Sequence, residues 1–240
     1  MKIRGRIEQV LSAGIALGQR DAALGNPGAS KLLKAIRPTE RKGESEHYRR
    51  LDLDAAPAAF QKLRALAEES TAIAAWVFMI VSASRPSEAL CAKWDEVDLS
   101  KRLWTVPKDR TKTGKDHVVP LSSVAVEVLA RQATVRVSDS VFPGRSGSPV
   151  AYSSFAAAPK AAALDTGSPH SWRSIFRDWC GDVGRIDRDL AEAALAHALP
   201  DVEAAYRRGT AIEKRVPIMQ AYAGWLMGES ADKLILLKRA

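Results

Sequence analysis

The side chains able to do chemistry are few and widely spaced. The chain has four histidines, His47, His117, His170 and His197, and two cysteines, Cys91 and Cys180. His170 opens the segment HSWR, so Arg173 follows one helical turn later on the same face. A histidine beside an arginine suits an anion, above all a phosphate; an exposed helix face with chance partners is the plainer alternative. Arg85 sits in SASRPSEAL, where an apolar helix gives way to a new one. It is placed either to point into a cleft or to cap and pair with Glu88. Lys112 lies in the turn TKTGK, where a lysine is commonly just solvated. Tyr206, in VEAAYRRG, stands four residues after Val202 and reads as core or half-core, or more rarely as a nucleophile. Two cysteines exclude a disulfide scaffold and the usual cysteine zinc site. His170 and His197 lack the carboxylate–histidine or cysteine spacing of zinc ligands.

The elements that must position these groups are mostly helical. Ile7, Val10, Leu11 and Ile15 share one face of a helix over residues 4–18. Residues 19–50, with Gly25, Pro27, Gly28, Pro38 and Gly43, read as a linker. Residues 55–69 are amphipathic through Ala59, Leu63 and Leu66. The span Thr71 to Ala83 is apolar nearly all round and predicts a buried helix. Pro86 and Ser87 open a helix over Glu88 to Trp94. Three β-prone stretches follow, Val97 to Leu99, Leu103 to Val106 and Val118 to Leu121. Between the last two lies PKDRTKTGKD, a polar turn over residues 107–116. Ser122 caps a helix carrying Val124, Val128 and Leu129. After the loop PGRSGSP, helices are expected at about 151–162, 169–183, 187–197, 201–208 and 211–228. The fold class is therefore mainly α with a small three-stranded antiparallel sheet, divided into residues 1–50 and 51–240.

Composition narrows the partners. Of 240 residues, 36 are Lys or Arg and 28 Asp or Glu, a net charge of +8. Residues 1–50 hold 11 basic and 5 acidic residues, so most of the excess lies there. A polyanionic partner explains such a balance through counterion release; a merely basic surface is the alternative. The longest apolar run, Ala72 to Val81, has ten residues, about half of a bilayer span. MKIRGRIEQ lacks the apolar block of a signal peptide. No membrane partner and a cytoplasmic location are expected.

Taken in order, Arg85, Lys112, His170, Arg173, His197 and Tyr206 form a constellation that resembles the tyrosine recombinases, the phage-integrase family. More narrowly it is similar to the prophage and genomic-island integrases that insert at tRNA genes. The resemblance is carried by SRPSEALCAKWDEVDL, TVPKDRTKTGKDHVVPLS, VFPG, HSWRSIFRDW, AEAALAH and VEAAYRRGTAIEKR, and by the step of nine from His197 to Tyr206. The family often has Leu-Gly-His where this chain has Leu195-Ala196-His197, and a histidine where it has Ser174.

The resemblance implies a site-specific recombinase that breaks and rejoins double-stranded DNA through a 3′-phosphotyrosine. Tyr206 would be the nucleophile, His170 its base and Lys112 the acid for the leaving group. Arg85, Arg173 and His197 would hold the phosphate, and Glu88 would pair with an arginine. No cofactor or metal is implied. The partners would be attachment-site DNA and three further copies of the chain on it, with a monomer when free. Residues 1–50 would be the last helix of a core-binding domain plus a basic linker, with Met1 an artificial start or that of a truncated gene. The stripe Ile212, Ile218, Tyr222, Trp225 and Leu226 suits either the chain's own core or a neighbouring subunit. A tyrosine-type topoisomerase and a non-catalytic DNA-binding prophage remnant are the alternative functions.

Overall fold

A helix with no polar face must lie where no face meets water. Helix α3, Thr71–Val81, does so in the computed structural model, which describes residues 2–29, 51–197 and 211–229. Every residue from Ile73 to Val81 is buried, and each larger side chain among them contributes about 1.5–3 kcal/mol by leaving water. Around α3 pack α2 (Ala56–Leu66) through Phe60 and Leu63, α5 (Ser123–Thr134) through Val124, Val128 and Leu129, and α6 (Tyr152–Ala161) through Phe155. Trp76 stacks on Phe155 with ring centroids 5.0 Å apart, and its Nε1–H donates to the Phe155 carbonyl at 2.6 Å. Ser122 caps α5 as expected, its hydroxyl accepting from the Ala125 N–H.

Helix α4 is shorter than its sequence suggests, spanning Pro86–Leu90 rather than reaching Trp94. Residues 92–94 are drawn instead into extended pairing with residues 139–141: the Val141 N–H donates to the Ala92 carbonyl and the Trp94 N–H to that of Asp139. The sheet then forms from β1 (Val97–Asp98), β2 (Leu103–Val106) and β3 (His117–Pro120), antiparallel in the order β1-β2-β3. Trp104 stands opposite Val97 and Val119, and Val106 opposite His117. Trp104 and Val106 face the core while Leu103 and Thr105 are half-buried, the period-two alternation of a strand.

Helix α7, Ser171–Asp178, runs into a wider turn over Trp179–Val183, closed by an N–H from Gly184 to the Trp179 carbonyl at 2.7 Å. Helix α8 is Arg188–Ala194 and α9 is Ala211–Leu226. The expected helix at 201–208 lies outside the described residues. Helix α9 packs within its own chain: Ile218, Met219, Tyr222, Ala223 and Leu226 are buried. Tyr222 meets Phe176 edge-on at 4.9 Å, and the Gln220 amide exchanges hydrogen bonds with the Ser123 N–H and hydroxyl at 2.9 Å each.

The chain divides into two compact units, Met1–His47 and Tyr48–Ala240. In the first, α1 spans Lys2–Ala16, and Asn26 ties the following loop to it by donating to the Glu8 carbonyl and the Ser12 hydroxyl. Val10 and Leu17 are exposed. Among the described residues no helix is long and apolar enough to cross a membrane.

Candidate functional site

Two helix ends build the centre of the site, and they end alike. After α3, the Ala83 N–H returns to the Ile80 carbonyl and the Ser84 N–H to that of Met79. After α8, the Ala196 N–H returns to the Ala193 carbonyl and the His197 N–H to that of Glu192. This double return needs a left-handed residue just past the helix, a place glycine usually fills. Here alanines fill it, Ala83 and Ala196, each at φ +49°. Strain of this kind gathers where geometry is demanded. One turn sends the chain to Arg85; the other delivers His197.

Arg85 caps α4. Its N–H donates to Glu88 Oε2 and its Nη1 to Glu88 Oε1, both at 2.8 Å. Glu88, 1% exposed, is thus both helix cap and ion-pair partner. The Arg85 Nη2 reaches across to the Ala196 carbonyl at 3.4 Å. Arg173, the third residue of α7, is 6% exposed. Its Nη1 donates to the Ala83 carbonyl at 2.5 Å and its Nη2 to the Leu195 carbonyl at 2.6 Å. The two guanidinium groups, 88 positions apart, therefore end on consecutive carbonyls, Leu195 and Ala196. The bonding is crosswise: the strained turn before Arg85 holds Arg173, and the strained turn before His197 holds Arg85.

His197 completes the group. Its Nε2 lies 3.3 Å from Arg173 Nη2, and its Nδ1 bonds Glu192. A guanidinium only donates, so in a neutral ring Nε2 would face it as acceptor and Nδ1 would carry the proton toward Glu192. Glu192 also forms an ion pair with Arg177, whose Nε lies 3.2 Å from its carboxylate.

Electrostatically the centre is over-supplied with positive charge. Burial pushes the Arg173 guanidinium down to about 10, helped by the charge of Arg85 and opposed by Glu88 and Glu192; it stays charged at neutral pH. Arg215 of α9 is also buried, which lowers it too, and it donates to the Ala193 carbonyl at 3.4 Å. His117, at the start of β3, is held down to about 4 by burial first and then by Arg215, with Arg173 and Arg85 adding and Glu88 opposing. An anion entering here would meet two forked cations whose mutual repulsion it relieves.

The remaining candidates are exposed or lie outside the described residues. His170 is exposed at the start of α7 and borders a cleft of about 1190 Å³ with Tyr152, Lys160, Thr166 and Ser174. Lys112 is exposed on the β2–β3 turn. Tyr206 lies outside the described residues. Tyr222, about three turns along α9, is fully buried, which raises its hydroxyl well above the ordinary range and removes it as a nucleophile. Among the described residues no three His, Cys, Asp or Glu side chains come together as a metal site.

A model of the phage integrase family matches residues 49–209. The chain belongs to that family. Among curated relatives, the prophage integrase IntA of Escherichia coli (strain K12) is 32% identical over 166 residues, covering 67% of this chain and 40% of the relative. The integrase of Enterobacteria phage P4 is 25% identical over 241 residues, covering 92% and 54%. The chain thus spans about half the length of these relatives. A crystal structure of a lambda integrase dimer bound to a COC′ core site superposes with a TM-score of 0.54 at 20% identity, over 83% of this chain and 72% of that one. A lambda integrase tetramer bound to a Holliday junction gives a TM-score of 0.53 at 20% identity, over 85% and 58%. At that identity the likeness is one of fold, and it is the integrase fold of helices with a small antiparallel sheet. The left-handed φ of Ala196 supplies the reason a phage integrase would favour glycine between the leucine and the histidine.

Sequence reasoning missed Glu192, His117 and Arg215. Glu192 precedes His197 by five positions, a spacing no helical face explains. The helix turns back between them.

Proposed function

We propose that this chain is the catalytic part of a site-specific recombinase that cuts and rejoins double-stranded DNA in the cytoplasm through a covalent 3′-phosphotyrosine. The observation that carries the proposal is the meeting of Arg85 and Arg173 on the carbonyls of residues 196 and 195, with His197 against Arg173.

The reaction has two needs. The pentacoordinate phosphorus gathers negative charge on its non-bridging oxygens. Fixed donors answer that charge without reorganising, each worth on the order of 3–4 kcal/mol. The hydrogen bonds described use three of the five N–H groups of Arg173 and two of those of Arg85. The remainder can take phosphate oxygens. The second need is proton traffic. The Tyr206 oxygen attacks phosphorus and passes its proton to His170. The bond from phosphorus to the 5′-oxygen breaks, and that oxygen takes a proton from Lys112. Bond energy is kept in the phosphotyrosine, so a 5′-hydroxyl from a second duplex can reverse the step.

The assembly would be a tetramer on DNA and a monomer when free. Support comes from the lambda integrase tetramer on its junction, which shares the fold. Residues 1–50 would supply one helix of a core-binding domain and a basic linker. The apolar side chains Ile7 and Val10, exposed on α1, favour a helix made to pack against others.

A nicked DNA substrate, from which the short 5′-hydroxyl fragment diffuses after cleavage, tests this. A covalent protein–DNA adduct is expected, absent from Tyr206→Phe. Tight binding with no adduct in the parent chain would overturn the enzymatic reading. With two duplexes, recombinant product is expected; relaxation of supercoils alone would indicate a topoisomerase.

A further inference from the structure

The turn that carries Lys112 is fastened more firmly than a surface hairpin requires. Arg110, two residues before Lys112, turns its guanidinium inward, with 19% of the side chain exposed. Its Nη1 donates to the carbonyls of Cys91 at 2.7 Å and Glu88 at 3.3 Å, and its Nη2 to the Glu96 carboxylate. The first two acceptors belong to the C-terminal end of α4, whose last carbonyls have no partner within so short a helix. Arg85 stands at the other end of the same helix. The turn is also closed on itself. The hydroxyl of Thr111, a buried residue, donates to the Lys115 carbonyl at 2.8 Å with that of Lys108 at 3.1 Å, and the Lys108 N–H donates to Asp116 at 2.8 Å. Gly114 supplies the left-handed φ of +65° that completes the bend. Residues 112 to 115 are exposed beyond this base.

Burying a guanidinium is costly unless it is fully paired, and the buried Nε–H of Arg110 has no partner. A hairpin turn needs no such group. We infer that Arg110 is a positioning residue: it docks the turn on α4, so that the Lys112 ammonium and the Arg85 guanidinium are held at a set distance by one short helix. This rests on the reading of Lys112 as the acid that protonates the leaving 5′-oxygen.

Single-turnover cleavage of two nicked substrates by the full chain tests the inference. One carries the natural bridging oxygen, the other a bridging sulfur at the same place. A thiolate leaves without a proton, because a thiol is far more acidic than an alcohol. Lys112→Ala should be slower by on the order of a hundredfold on oxygen and close to the parent on sulfur. Arg110→Ala should be about tenfold slower on oxygen, within about threefold of the parent on sulfur, with Arg110→Lys in between. Equal losses on both substrates would overturn the positioning role, since a damaged fold or clamp slows both. If Lys112→Ala were not rescued by sulfur, the acid assignment would fall and the inference with it. Should Arg110→Ala not fold, Thr111→Val must show the same split in weaker form; no split would overturn the inference.

Discussion

One turn of α7 separates two unlike environments. Arg173 is buried and bonded to two carbonyls and a histidine, whereas His170, three residues earlier, is exposed beside an open cleft. Most of the site divides the same way, with His197 the exception: it touches Arg173 and yet is exposed. Arg85, Arg173, Glu88 and the backbone of 195–196 form an interlocked interior, and His170 and Lys112 stand on exposed positions. The division follows the two needs of the proposed reaction. A group that stabilises charge helps most when it is already in place. A group that carries a proton must meet solvent to be recharged. On that proposal, burial is sorted by chemical task across the first turn of α7.

The strongest way to break this comparison is to empty the interior. Arg173→Ala should slow cleavage of bound DNA by on the order of a thousandfold while weakening DNA affinity only modestly. Arg173→Lys should recover little, because an ammonium cannot span the Ala83 and Leu195 carbonyls with a planar fork. Single-turnover adduct formation at saturating protein, set beside a binding titration, separates the effects. Lost affinity with an unchanged rate of cleavage would make Arg173 a docking residue, and the interior would have no chemical task.

How legible each part was in the sequence follows the same line. The buried helix over Thr71 to Val81 and the three short strands were readable because each states its environment locally, by an unbroken apolar run or by alternation. Arg85, Arg173 and His197 were readable as an ordered set and not singly. What joins them is invisible in one dimension. Backbone carbonyls carry no residue signature, so nothing announces that Ala83 and Leu195 would receive Arg173. The helix past Leu90 failed for a related reason, since residues 92–94 pair with a segment nearly fifty positions away. His117 read only as one of four histidines, between a polar turn and a strand; only the packing of α9 against β3 brings Arg215 to it.

His117 sharpens the comparison by showing what the interior does to a titratable group. Its folded value, about 4, lies below the ordinary value of 6.5. Between those two values the unfolded chain takes a proton that the folded chain refuses. Stability is therefore whole above about pH 6.5 and falls as the pH drops to about 4, by about 3 kcal/mol in all. The charges facing the ring are Arg215, Arg173 and Arg85, with Glu88 the one carboxylate in opposition. Urea unfolding across that range should give a steeper decline for the parent chain than for His117→Gln, which has nothing to protonate there. Parallel curves would mean that the ring is not held neutral by its surroundings.

The smallest effect concerns the strain in the two turns. An L-residue in the left-handed region costs about 1–2 kcal/mol, and glycine escapes most of that. Glycine also loosens the unfolded chain, by about 0.4–1 kcal/mol. Ala196 is half-buried, so little packing is lost with its methyl group. Ala196→Gly should accordingly raise the unfolding free energy by about 1 kcal/mol. Ala83 has the same φ but is buried at 2% exposure, and removing its methyl forfeits about 0.8 kcal/mol of burial. Ala83→Gly should come out near neutral. The two turns share one geometry, so the difference between the variants isolates burial from strain. Equal shifts would show that the backbone alone sets the cost, and that the interior gains nothing from the methyl it encloses.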